Sequence, residues 1–151
     1  MNRAAVRAII ESAFARRDEA DLVDRLREDG DCEISLVAIE GGEIVGHVLF
    51  SPMSAPFRAL GLAPVAVAPH RQRSGIGGRL IRTGLEHARA AGWQGVFVLG
   101  DPNYYRRFGF DPALASGFAG PYAGPHLMAL ALGPAFPVSS GEIGYAPAFS
   151  R

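Results

Sequence analysis

Apolar positions recur at helical spacing near the start of the chain, at Val6, Ile9, Ile10, Ala13 and Phe14, and again at Leu22, Val23 and Leu26 before Gly30. A stripe of that period buries one side of a helix, so two helices are expected, separated by the charged residues 16–19. The period then shortens. Residues 33–40 (EISLVAIE) and 43–50 (EIVGHVLF) are rich in branched side chains and are joined by Gly41-Gly42. That pair accepts the positive φ angles of a two-residue turn without steric cost, which predicts a β-hairpin. A third strand is expected over residues 60–67, where Pro64 has no N–H to give to a ladder. From Gly75 onward Ile76, Leu80, Ile81, Leu85 and Ala88 share one helix face, Arg79, Arg82, Glu86 and Arg89 lie mostly elsewhere, and Gly92 ends the helix. A buried strand over residues 95–99, a short helix near 103–107, an irregular Gly/Pro-rich stretch and strands over 126–132 and 142–145 complete the order. No repeat or internal boundary interrupts it. The expectation is one domain over residues 1–151, a mixed sheet with helices on its faces.

Composition narrows the class of partner. The 151 residues, 48% of them hydrophobic, suffice for a core that buries about two thirds of the unfolded surface. Lysine plus arginine (15) equals aspartate plus glutamate (15), so no global field draws the chain to nucleic acid or an anionic membrane, and any bound anion must be held locally. Arg7 and Glu11 interrupt what would be the apolar run of a signal peptide, and no stretch reaches the ~18 apolar residues that span a bilayer. The chain therefore reads as cytoplasmic. Cys32 is the only cysteine, and His70, His87 and His126 lack ligand spacing, so neither an internal disulfide nor a metal is expected.

The segment Val65-Ala-Val-Ala-Pro-His-Arg-Gln-Arg-Ser-Gly-Ile-Gly-Gly-Arg-Leu80 places a strand, a polar loop and a helix start in succession. Such a junction presents unpaired backbone N–H groups and the positive end of a helix dipole to one anion. Gly75 and Gly77 remove the Cβ atoms that would hold a diphosphate off, and Arg71 and Arg73 add charge at the rim. A dinucleotide fingerprint fails because Leu80 stands where its third glycine belongs, and a Walker loop fails because no lysine follows either glycine. The loop by itself leaves two readings open, an anion cradle and an empty strand-to-helix turn.

Gln72-Arg-Ser-Gly75-Ile-Gly77 resembles the Q/R-x-x-G-x-G/A signature of the GCN5-related N-acetyltransferase (GNAT) family. Tyr105-Arg-Arg-Phe-Gly109-Phe110 resembles that family's second signature, and the longer string from Gly100 to Phe110 is similar to a branch of small bacterial acetyltransferases. The resemblance implies an α/β (α+β) fold: a mixed, mainly antiparallel sheet, helices on both faces, splayed between the strands before and after the loop helix. It implies acetyl-CoA as co-substrate, with the diphosphate at Gln72, Arg73, Ser74, Gly75, Ile76, Gly77 and Gly78 and the pantetheine arm along Val65, Ala66 and Val67. Backbone N–H groups of Val65 or Val67 would then face the oxyanion, and Tyr105 would protonate the leaving thiolate. The acceptor it implies is a primary amine, on a small molecule or a peptide, that attacks directly. One departure stands at the start: the family's pattern opens with a short strand, whereas Met1 lies almost in the first helix, so the sheet lacks an edge strand or the true start lies upstream.

Many relatives carry a glutamate on the strand before the loop, but residues 60–67 hold no ionisable side chain. Asp101 and His47 are the remaining candidates for a base. An aspartate before proline is more often a turn or helix-cap residue, and a lone strand histidine is more often structural. No G-x-S-x-G elbow or H-E-x-x-H pair is present, so a covalent acyl-enzyme is not expected. A second reading is a sensor that binds CoA or acyl-CoA without turnover. The strand candidates near the C-terminus could pair across a homodimer.

Overall fold

A computed structural model describes residues 17–150. The helix expected over residues 6–14, and with it the question of a preceding strand, lies outside them. Helix α1 (Arg17–Glu28) leads into strands β1 (Ile34–Glu40) and β2 (Glu43–Pro52). They pair antiparallel around Gly41 and Gly42, whose φ angles of 59° and 82° are those of the expected turn. Strand β3 (Ala59–Val67) pairs antiparallel with β2, and helix α2 (Ile76–Ala90) then crosses back so that β4 (Gly95–Leu99) runs parallel to β3. The short helices α3 (Pro102–Tyr105) and α4 (Pro112–Ala115), β5 (Phe118–Ala119), β6 (Leu127–Ala131) and β7 (Gly141–Glu142) complete the order. The main sheet runs β1-β2-β3-β4-β6, with β6 antiparallel to β4, and β5 and β7 form a two-stranded parallel pair beside it.

Alternation along the strands assigns the two faces. Val48 and Phe50 of β2, Leu60 and Leu62 of β3 and Val96 and Val98 of β4 meet Ile76, Leu80, Ile81, Leu85 and Ala88 of α2. On the opposite face Leu49 and Ala66 meet Val23 and Leu26 of α1 and Ala146 and Ala148, while Ala59 and Phe97 meet Phe118, Leu127 and Ile143. Helices therefore cover both faces, as the expected architecture requires.

The sheet is incomplete at its centre. β3 and β4 share only the pairs Ala59–Gly95, Leu60–Val96 and Gly61–Phe97. Beyond Gly61 the strands part, and the β2–β3 register shifts at the same place, between Val48–Val65 and Phe50–Leu62, because two residues of β3, Ala63 and Pro64, stand opposite Leu49 alone. A bulge of this kind bends a strand and re-aims its edge. The C-terminal strand is shorter than expected: β7 covers Gly141–Glu142, and Gly144 makes a single bridge to Ser54.

Candidate active site

The gap between β3 and β4 opens into a cleft of about 530 Å³. One wall is the free edge of β3. Ala68 N donates to Val45 O across the β2 ladder at 2.8 Å, so alternation turns the N–H groups of Val65 and Val67 the other way, toward the cleft. Val67 O points there too, since it accepts from Gln72 Nε2 at 3.1 Å. That bond ties the loop to the strand.

The loop turns through a 3₁₀ segment, Pro69–Arg71, and reaches α2 by way of two left-handed residues, Arg73 (φ 66°) and Gly75 (φ 87°). For arginine that conformation costs about 1 kcal/mol. Ser74 Oγ donates to Arg71 O and helps hold it. Gly75 caps α2 with no side-chain hydrogen bond, and the first intrahelical bond is Arg79 N to Gly75 O at 3.1 Å. The N–H groups of Ile76, Gly77 and Gly78 are thus left to the cleft, at the positive end of a 15-residue helix. A Cβ on Gly77 would lie 3.4 Å from Tyr104 Oη and 3.5 Å from Val67 Cγ2, so glycine keeps this floor open.

The other wall is α3. Asp101, at the end of β4, accepts from Asn103 N at 2.9 Å, and Pro102 supplies the first helical residue. Gly100 admits the Tyr105 ring, whose Cε2 would lie 2.6 Å from a Cβ placed there. Tyr104 and Tyr105 meet edge to face, with centroids 5.0 Å apart. Burial, reinforced by the neighbouring Tyr104, pushes the Tyr105 phenol up to about 12. It stays protonated across the working range.

Of the residues expected to hold a cofactor, Val65, Val67, Gln72, Arg73, Gly75, Ile76, Gly77 and Gly78 line this cleft, as does Tyr105. Ala66 points to the opposite face among the α1 contacts, and Ser74 is occupied within the loop. Asp101 is exposed and serves as the α3 cap. His47 is fully buried on the α1 face of β2, with Nε2 2.9 Å from Ser35 Oγ. Burial, with the Arg27 charge adding to it, lowers its pKa to about 4.

Three further residues line the cleft: Arg82 and Arg107, which the sequence does not single out, and Tyr104, which as the neighbour of Tyr105 is expected to point elsewhere and instead faces the same cleft. Arg82 sits one helical turn after Gly78, with Nη1 3.2 Å from where that glycine's Cβ would be. Its spacing from the loop was the available signal. Arg107 lies over the Tyr104 ring at 4.5 Å and donates from Nε to Tyr104 O at 2.9 Å, a contact no spacing rule reveals. With Arg71 and Arg73, Arg82 and Arg107 place four guanidinium groups and, among the described residues, no carboxylate on the lining of the cleft, although Arg71 also pairs with Glu40 at 2.9 Å.

Comparison with known proteins meets this geometry. Residues 3–110 match the Acetyltransferase (GNAT) family. The chain belongs to that family. It is 45% identical over 129 residues to the uncharacterized N-acetyltransferase YjhQ of Escherichia coli (strain K12), covering 80% of this chain and 71% of that protein. Among solved structures, a GNAT family acetyltransferase from Brucella melitensis in complex with acetyl-CoA superposes with a TM-score of 0.82 at 39% identity, over 97% of this chain and 91% of that one. The N-acetyltransferase YhbS of Escherichia coli in complex with CoA superposes with a TM-score of 0.91 at 31% identity, over 99% and 87%.

Proposed function

We propose that this GNAT protein transfers an acetyl group from acetyl-CoA to a primary amine by direct attack within a ternary complex. The observation that carries this reading is the single cleft that joins the α2 N-terminus, the free edge of β3 and the Tyr105 ring. The loop N–H groups and the surrounding arginines take the diphosphate, and the pantetheine amides pair along Val65 and Val67 as an added strand. A backbone N–H of the same edge stabilises the oxyanion that forms when the amine nitrogen bonds to the thioester carbon. The C–S bond then breaks, Tyr105 gives its proton to the thiolate, and the proton lost by the nitrogen returns through water to the phenolate. Neither Asp101 nor His47 enters this scheme, since one caps α3 and the other is buried in its neutral form on the far face.

A non-catalytic CoA sensor would use the same cleft, and Tyr105 separates the two. The test is CoA thiol release from acetyl-CoA with a panel of primary amines, with CoA affinity measured alongside. Tyr105→Phe is expected to lower kcat about 10²-fold and to leave the CoA Kd within about twofold. A wild-type protein that binds CoA but releases no thiol with any amine, or a variant with undiminished kcat, would count against the transferase reading.

A further inference from the structure

CoA carries phosphate in two places, a diphosphate and a 3′-phosphomonoester on the ribose of its adenosine. The helix N-terminus answers the first, and the four cleft arginines divide in a way that answers the second. Arg71 and Arg73 belong to the loop that leads into α2, and Arg71 already shares its charge with Glu40 at 2.9 Å. Arg82 and Arg107 stand apart from them. Arg82 folds back along α2 until Nη1 lies 3.2 Å from where a Cβ of Gly78 would be. A Cβ radiates from the flank of a helix while its first N–H groups point out along the axis, so this guanidinium stands beside the helix end and not in front of it. Arg107 comes from the opposite wall, in the 3₁₀ turn Arg106–Phe108 that follows α3.

Both of these guanidiniums are seated on aromatic rings. Arg82 Cζ lies 4.9 Å from the centroid of Phe108 and Arg107 Cζ 4.5 Å from that of Tyr104, and the two rings themselves meet edge to face at 5.4 Å. Arg107 also donates from Nε to Tyr104 O, which fixes its plane and leaves the Nη fork out of that bond. A guanidinium held flat on a ring keeps its edge for a phosphate and has little freedom left to lose when one binds. Gly78 fits the same picture, since the family signature ends at Gly77 and a glycine so early in α2 weakens the helix. What it leaves room for is Arg82: the next nearest atom to its missing Cβ is Phe108 Cε1, at 3.7 Å. The other charged residues of these elements, Arg79, Glu86, Arg89, Asp101 and Arg106, lie off the lining of the cleft.

We propose that Arg82 and Arg107 together hold the 3′-phosphate and make this enzyme select CoA over its 3′-dephospho form. This inference rests on the transferase reading above. A phosphomonoester carries a charge of about −1.5 to −2 near neutral pH, which two guanidiniums match. The diphosphate stays with the N–H groups of Ile76, Gly77 and Gly78 and with the loop arginines. Arg82 and Arg107 are therefore specificity residues for the co-substrate and take no part in the transfer step.

The test is isothermal titration with CoA and with 3′-dephospho-CoA, which lacks only that phosphate. Wild type is expected to bind CoA about tenfold more tightly or better. Arg82→Gln and Arg107→Gln should each weaken CoA about fivefold to tenfold and leave the 3′-dephospho-CoA Kd within about twofold, so that the preference falls toward one. Arg73→Gln, on the diphosphate side, should weaken both ligands by the same factor and keep the preference. Arg82→Lys, which retains the charge without the flat fork, should restore only part of it. Both side chains are exposed, so the ligand-free variants should melt as wild type does, and an arginine that only supported the wall would weaken both ligands alike. A wild-type preference near one, or equal losses for the two ligands in Arg82→Gln and Arg107→Gln, overturns the proposal and leaves the transferase reading standing. Failure of wild type to bind CoA at all strikes the transferase reading itself.

Discussion

His47 shows how little a residue type says about its role before burial is known. An ordinary imidazole, with a pKa near 6.5, suits a base at neutral pH. In the fold it has no exposed surface, and its Nδ1 is buried without a partner among the described residues. The pKa near 4 then has a consequence for stability. A histidine held neutral by burial contributes stability that is fully present above about pH 6.5 and is lost as pH falls toward 4, because the unfolded chain takes up a proton that the folded chain refuses. Between pH 7.5 and 4.5 that loss amounts to about 2.5 kcal/mol. Urea unfolding at the two pH values is expected to show it, and His47→Gln, with no proton to gain, should show a dependence shallower by about that amount. Identical dependence in both proteins would mean that His47 titrates normally. Asp101 was more legible, since an aspartate before proline reads as a cap and it caps α3. Arg82 offered only its spacing from the loop, and Arg107 offered no signal, because its place at the cleft depends on how α2 and α3 pack together.

Elements with a local cause could be read from the chain. The hairpin follows from Gly41-Gly42, and the end of α2 follows from Gly92, with φ 87° and Trp93 N donating back to Ala88 O at 3.0 Å. The strand expected over residues 142–145 is shorter and shifted to Gly141–Glu142, because its partners, Ala119 and Ser54, are remote in sequence and leave no periodic trace of its bounds. Glycines at the contact between α2 and β2 carry information of another kind. A Cβ on Gly84 would lie 2.2 Å from Phe50 Cε1 and 2.6 Å from Cζ, and one on Gly46 would lie 2.9 Å from Ile76 Cγ2. These two positions let α2 lie close on β2, so helix propensity and packing oppose each other at Gly84. Alanine would gain about 1 kcal/mol as a helix former. It would also press on a ring that is fully buried and cannot swing away, at a cost of about 1 to 3 kcal/mol. Gly84→Ala is therefore expected to lower the urea midpoint, and Phe50→Leu in the same chain should cost less than it does in wild type. A higher midpoint for Gly84→Ala would show that the helix stands farther from the sheet.

At the scale of the whole molecule, the parallel pairing of β3 and β4 over three residue pairs is the main-sheet connection between β1–β3 and β4–β6. A ligand in the gap would touch both halves, taking hydrogen bonds from β3 and the α2 N-terminus and lying against Tyr104 and Tyr105, which line it. It should therefore stabilise the fold as a whole. The chain has no net charge, so the attraction for an anionic ligand comes from the local arginines and the helix end, and added salt should weaken it. With CoA at about one hundred times its Kd, linkage predicts about 2.7 kcal/mol of added stability. For a chain of this size that is a rise in Tm of roughly 5 to 10 °C. Gly75→Glu together with Gly77→Glu places two carboxylates where the diphosphate would sit. The first of them also occupies a left-handed position, so the ligand-free variant is expected to melt somewhat lower than wild type. The informative quantity is therefore the difference with and without CoA: several degrees for wild type, shrinking as sodium chloride is added, and none for the double variant. A shift that survives both carboxylates would place CoA somewhere other than the α2 N-terminus.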